Sequence, residues 1–404
     1  MSTAQRNALA ILICAVSAVA VAFGIRQSFG LFMAPMAESL GWGRETISLI
    51  FAVVALLNGL AAPIIGIASD RWGAGWTVTF GGLFYALGLL TLGSSTSPMV
   101  MTFGAGILIG IGVSACGLPV MLALIGKIAP QEKRSMWLGL VAAGSTLGQL
   151  GLIPTAHYLV STEGWQTGIY VLAGLIALVV PIGLFFNRLS VQPKDREEDS
   201  QTLSQAVNEA RTHRGYWLLV SGFFVCGFQV QFVALHLPAY ISDSGLSPSI
   251  GAASLTIIAL ANMFGAAYAG YLGGKYRKRT LLSLLYLGRG VLIACFVVIP
   301  LSDASVLVFS ALMGFMWLGT VPLTSGVVAQ IFGPRYMTTL FAVVYLSHQL
   351  GNFAGAWPGG YVFDTTGSYE LVWWFAAALG FIAAGLNAPL DDRPLTRNQL
   401  TTHA

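Results

Sequence analysis

Apolar residues run along this chain in long continuous stretches separated by short polar breaks, not in the alternation of a half-buried strand. A helix needs about 20 apolar residues to cross a hydrocarbon core, whereas barrel strands are segments of about ten. Reading the runs between charged or turn-rich breaks predicts twelve helices, over approximately 8–36, 46–69, 76–97, 99–126, 135–161, 165–187, 216–241, 250–273, 280–300, 304–331, 337–363 and 369–389. The fold class expected is an all-α membrane protein with twelve transmembrane helices. The run that follows Arg6 contains Ala18-Val19-Ala20, as a secretory signal would. Because apolar character resumes after Arg26 and continues to Met36, the segment reads as the first span.

Twelve spans place both termini on one side, and the charges agree. Of the 20 Lys and Arg, 17 fall on that side, among them Arg6, Arg71, Lys127, the cluster Lys275 to Arg279, Arg335 and Arg397. The opposite loops carry Arg44 as their one basic residue, beside Glu38, Glu45, Glu163, Asp243, Asp303, Asp364 and Glu370. A frame error of one span would scatter this asymmetry. The positive-inside bias makes the side of the termini cytoplasmic, and a multi-pass protein of the cell (inner) membrane is expected.

Composition removes the soluble alternative. Hydrophobic residues make up 56% and charged residues 9% of 404, against roughly 45–50% and about 25% in soluble domains. Cys14, Cys116, Cys226 and Cys295 stand singly in apolar runs, so packing rather than disulfides or zinc is expected of them. The motifs HExxH, GxxxxGK[ST] and GxSxG do not occur. No enzymatic activity, cofactor, metal or nucleic-acid partner is therefore expected, and a monomer is.

The longest hydrophilic stretch, 187–214, has the mixed-charge centre Lys194 to Asp199 and divides the spans six and six. Expected units are 1–187, a cytoplasmic linker 188–214, and 215–404. Residues 200–214 read either as solvated linker, which the composition favours, or as a short amphipathic helix. An internal repeat supports the division. The stretch from Gly110 to Pro119 parallels Gly314 to Pro322, Arg134-Ser-Met136 answers Arg335-Tyr-Met337, and Gln149-Leu-Gly151 answers Gln349-Leu-Gly351, at an offset of about 200 residues. Homologous halves of this kind suggest a transporter rocking about a midplane site.

Between the second and third spans stands Gly66-Ile-Ala-Ser-Asp70-Arg71-Trp-Gly73, and its counterpart runs from Gly270 to Arg279 with Gly274 in place of the Asp. The first stretch resembles the signature loop of the major facilitator superfamily, so Gly66, Asp70, Arg71 and Gly73 are expected to form a gating motif. The stretches Phe23 to Gly30, Gly227 to Phe232 and Ser347 to Gly351 are similar to bacterial relatives of the monocarboxylate porters and the oxalate:formate antiporter. The resemblance covers essentially the whole chain. It implies two pseudo-symmetric six-helix halves, a cavity lined by spans 1, 4, 7 and 10, and an organic anion as substrate. In those porters an Asp and an Arg four residues apart on span 8 are associated with proton coupling and anion binding; here those places hold Asn262 and Ala266, so no charged site carries over.

Within the spans only Arg26 and Arg289 are fully ionised, with no embedded Asp or Glu to pair with them. Insertion scales put an embedded charge at roughly 2.5–3.5 kcal/mol, so each needs a partner or a wet cavity. A guanidinium fork fits a carboxylate, and at Arg26, beside Gln27, the missing partner reads as the substrate. Carbonyls and glutamines are the structural alternative. Arg289 sits on span 9, outside the expected cavity, and reads either as structural or as a second contact. Gln229 and His236, seven residues apart, share a face of span 7; Tyr345, His348 and Asn352 make a stripe on span 11. Trp317 and Thr320 on span 10 complete the candidate wall, and His157 reads as interfacial. The function expected is alternating-access transport of a small organic anion such as a monocarboxylate, with a proton or counter-anion as possible co-substrate. An exporter of apolar compounds and a non-transporting sensor are the alternatives.

Overall fold

The computed structural model describes residues 3–130, 133–188, 203–333 and 337–395. Among the described residues every regular element is helical. The first half holds α1 (Thr3–Ser28), α2 (Gly30–Leu40), α3 (Arg44–Trp72), α4 (Ala74–Ser94), a π-helical stretch Val100–Ala105, α5 (Gly106–Ala115), α6 (Leu118–Ile128), α7 (Arg134–Glu163), α8 (Trp165–Ala177) and α9 (Val179–Arg188). After α10 (Leu203–Thr212) the second half holds α11 (Arg214–Asp243), α12 (Pro248–Gly273), α13 (Lys278–Val298), α14 (Asp303–Phe315), α15 (Thr320–Phe332), α16 (Met337–Thr366) and α17 (Glu370–Asn387).

Eleven segments of the described residues are long and apolar enough to cross a membrane. The twelfth expected span is α16, a helix of 30 residues that is too polar to count among them. Its middle carries Tyr345, His348, Gln349 and Asn352, and it can be polar because it packs between α3 and α11, with His348, Gln349 and Asn352 buried. The repeat is visible in the packing. In the first half α1 lies on α7, α3 on α5, and α4 on α8 and α9; in the second α11 lies on α16, α12 on α14, and α13 on α17. The halves meet along α3 and α16, α7 and α12, and α2 and α11.

Small residues set these distances. A Cβ on Gly24 would come 2.5 Å from the Gly148 carbonyl oxygen, and Gly227, Gly351 and Gly355 bring α11 and α16 into backbone contact. The repeated Gly/Pro stretches are helix breaks in both halves: α5 ends before Cys116-Gly117 and α14 before the segment 316–319. Pro119 and Pro322 fall in the first turns of α6 and α15, where a missing N–H costs little.

The linker differs from the favoured expectation. Residues 189–202 lie outside the described residues, but 203–212 form α10, whose Ala206 and Ala210 are buried. The alternation of apolar and charged positions there is helical, and the Trp217 indole donates to the Arg211 carbonyl at 2.9 Å.

Candidate functional site

Arg26 stands near the end of α1, half-buried, with the half-buried Gln27 beside it. Among the described residues no carboxylate pairs with it. An acceptor for it comes from the other half. Asn352, midway along α16 and 1% exposed, has one terminal amide atom 3.2 Å from Arg26 Nη2 and the other 2.8 Å from the Gly227 carbonyl oxygen. Arginine only donates and a carbonyl only accepts, so the Asn352 oxygen faces Arg26 and its nitrogen donates to Gly227. The Gln349 amide touches the Asn352 amide, and the His348 ring nitrogen Nδ1 lies 3.3 Å from Gln349 Oε1. Tyr345 extends this stripe across the seam, its hydroxyl accepting from Asn58 Nδ2 at 3.4 Å. Arg26, Tyr345 and His348 are thus brought to one region between the halves, with Gln349 and Asn352 between them.

The other candidates lie deeper in the second half. Arg289 is fully buried; Nη1 donates to Cys226 Sγ at 3.4 Å, while Nε and Nη2 meet no acceptor among the described residues. Cys226 Sγ lies 3.2 Å from Thr320 Oγ1, at the first residue of α15. So Cys226, read from the sequence as a packing residue, also serves as a polar partner. Gln229 is fully buried and donates to the Ala376 carbonyl at 2.8 Å. Trp317 is buried in the break between α14 and α15, where Asn262 Oδ1 accepts the Leu318 N–H at 3.0 Å. Asn262 therefore satisfies a backbone group that the break would otherwise orphan.

His236 belongs to a different cluster, at the end of the bundle away from the termini. Its Nε2–H donates to the Ala356 carbonyl at 2.7 Å, which leaves Nδ1 to accept from the Tyr369 hydroxyl at 3.4 Å. Tyr369 in turn accepts from Arg44 at 2.9 Å. Arg44, the first residue of α3, forks onto Asp243 at the end of α11, with Nη2 2.5 Å from Oδ1, and lies 3.9 Å above the Phe363 ring. The Asp364 carboxylate accepts the Arg44 and Glu45 backbone N–H groups at 2.9 and 2.8 Å, capping α3 from the other half. Trp357 Nε1 donates to Glu45 at 3.1 Å. These contacts hold the halves together at the distal end. The sequence signal was Arg44 itself, the one base in an acidic set of loops.

At the opposite end, Gly73 ends α3 with φ 90°, a left-handed conformation that favours glycine. A Cβ on Gly66 would meet no atom within 4 Å, and Arg71 is exposed. The Asp70 side chain lies outside the described residues.

The family model of the Major Facilitator Superfamily matches residues 15–356. An uncharacterized MFS-type transporter, YcxA of Bacillus subtilis, is 25% identical over 392 residues, covering 93% of this chain and 92% of that protein. Monocarboxylate transporter 13 of Rattus norvegicus is 25% identical, over 91% of this chain and 84% of its own length. Monocarboxylate transporter 12 of Mus musculus is 26% identical, over 79% and 72%.

Proposed function

Since this chain belongs to the Major Facilitator Superfamily, we propose that it transports a small organic anion, a monocarboxylate, by alternating access between its two halves, 1–187 and 215–404. One observation carries the reading: Arg26 stands between the halves, half-buried, facing a neutral amide and no carboxylate. A carboxylate gives this guanidinium two oxygens where the amide gives one, and the added charge strengthens both bonds. The relatives named monocarboxylate transporters point to the same substrate class. An exporter of cations would call for an embedded acid, and among the described residues none faces Arg26 or Arg289.

The positive-inside bias supports an inner-membrane placement with both termini cytoplasmic. In that orientation the Arg44 cluster is the outer gate and the loop at Gly66, Asp70, Arg71 and Gly73 belongs to the inner one. Tyr345, His348 and Gln27 border the Arg26 region and orient the substrate; Gln229, Trp317 and Arg289 shape the second half behind them. His236 acts with the outer gate through Tyr369. An anion filling Arg26 in turn from either side suffices for exchange or facilitated diffusion, without a titrating residue.

The test is uptake of labelled acetate, lactate and benzoate into proteoliposomes containing Arg26→Lys protein. An ammonium cannot reproduce the fork, and losing one charge-assisted bond of about 1.5–3 kcal/mol lowers affinity roughly 10–100-fold. Wild-type uptake and affinity by correctly inserted Arg26→Lys protein would refute the assignment.

A further inference from the structure

We propose that Asn352 is the specificity-determining partner of Arg26: its amide oxygen occupies the guanidinium when no anion is bound, and the substrate carboxylate displaces it. The inference rests on the reading of Arg26 as the anion-binding cation.

Three features of the site carry it. Asn352 is 1% exposed and cannot satisfy its oxygen with bulk water, so the Arg26 contact at 3.2 Å is what pairs that oxygen with a charge. The amide is held at both of its atoms, since its nitrogen is spent on the Gly227 carbonyl at 2.8 Å and the oxygen that faces Arg26 also meets the Gln349 side-chain amide. It therefore presents one fixed acceptor of neutral charge, which a bidentate anion outcompetes. A neutral amide-bearing ligand has no such advantage, because it would exchange like for like. Asn352 thus discriminates an anion from its uncharged isostere by being the isostere already in place.

The contact also crosses the molecule. Arg26 is on α1 of the first half and Asn352 on α16 of the second, so displacement removes a tie between the halves at the moment an anion enters. Only a ligand that binds the guanidinium better than the amide releases that tie, and occupancy is thereby linked to the freedom of the halves to move.

The experiment compares Asn352→Ala and Asn352→Asp with the parent protein in detergent, by equilibrium binding of lactate and benzoate and of their uncharged amides. Removing the competitor is expected to tighten lactate and benzoate about tenfold in Asn352→Ala, and the built-in carboxylate of Asn352→Asp to abolish their binding. Asn352→Ser serves where Asn352→Ala does not fold, because its hydroxyl keeps a polar group at the position and is too short to reach Arg26. A second readout needs no ligand: modification of Arg26 by phenylglyoxal, followed by mass spectrometry, is expected to be faster in Asn352→Ala or Asn352→Ser and slower in Asn352→Asp. Unchanged or weakened binding with an unchanged modification rate in Asn352→Ala overturns the proposal. If Arg26→Lys still abolishes binding in that case, the role of Arg26 stands without it; if Arg26→Lys binds normally, the reading of Arg26 itself has failed.

Discussion

Removing the Arg44 side chain should release the distal end of the bundle. The guanidinium makes two charge-assisted bonds to Asp243, one bond to Tyr369 and a cation–π contact with Phe363. Taken separately these sum to several kcal/mol, but the Asp243 side chain is already 32% exposed and regains water on release. Discounting for that, the cluster favours the closed end by roughly 2–3 kcal/mol. Arg44→Ala should then shift the ratio of closed to open about 30–150-fold. The shift is bounded, because the Asp364 cap on α3 uses backbone N–H groups that the substitution leaves in place. The assay uses Ser48, which is fully buried beneath this seam beside the Trp357 carbonyl. In protein with the accessible Cys14 and Cys295 replaced and the buried Cys116 and Cys226 kept, the labelling rate of Ser48→Cys by a polar maleimide, measured against the same background without Ser48→Cys, reports opening. Arg44→Ala should raise that rate strongly and Asp243→Asn should do much the same. Arg393→Ala is the control, since its pair with Asp391 is 3.8 Å long with side chains 81% and 63% exposed. A labelling rate unchanged by both Arg44→Ala and Asp243→Asn would refute the latch.

Gly351→Leu should cost more than about 3 kcal/mol of stability and lower the yield of monodisperse protein, since its side chain would enter the Phe224 backbone. Asn262→Ala should lower the thermal midpoint by orphaning the Leu318 N–H, at a cost of about 1–3 kcal/mol. Arg289→Ala empties a fully buried volume beside Cys226, so the amount of folded protein should fall while the anion affinity of what survives is kept; normal abundance with lost affinity would move Arg289 into the binding site. Internal pH recorded during labelled-anion uptake should show no stoichiometric proton entry, and proton entry lost in a His348 variant would replace exchange with symport.

Much of the architecture was legible because lipid imposes a one-dimensional requirement: each crossing segment must be apolar and long enough, and each can be found alone. The exception is instructive. The span at α16 was readable from its length and its place in the count, although Tyr345, His348, Gln349 and Asn352 make it too polar for a lone membrane helix; its neighbours α3 and α11 make that polarity tolerable. The segment 203–212 was harder, because a short polar helix and a solvated linker have similar compositions. It is two small residues, Ala206 and Ala210, buried in place, that distinguish them.

By itself the sequence determined the membrane class, the halves' repeat and the presence of two embedded arginines without acids. Those are properties of local composition and of spacing along one chain. The helix breaks at the repeated Gly/Pro stretches, inside spans read as continuous, came from the structure. Nor did the sequence determine which atoms those arginines meet. That His236 is committed to Ala356 and Tyr369, that Cys226 is the partner of Arg289, and that Asn352 faces Arg26 depend on helices brought together by folding. The Arg44 backbone and its Asp364 cap are 320 residues apart, and a hydrogen bond falls off within an ångström. Only the tertiary packing of one half on the other sets distances that fine.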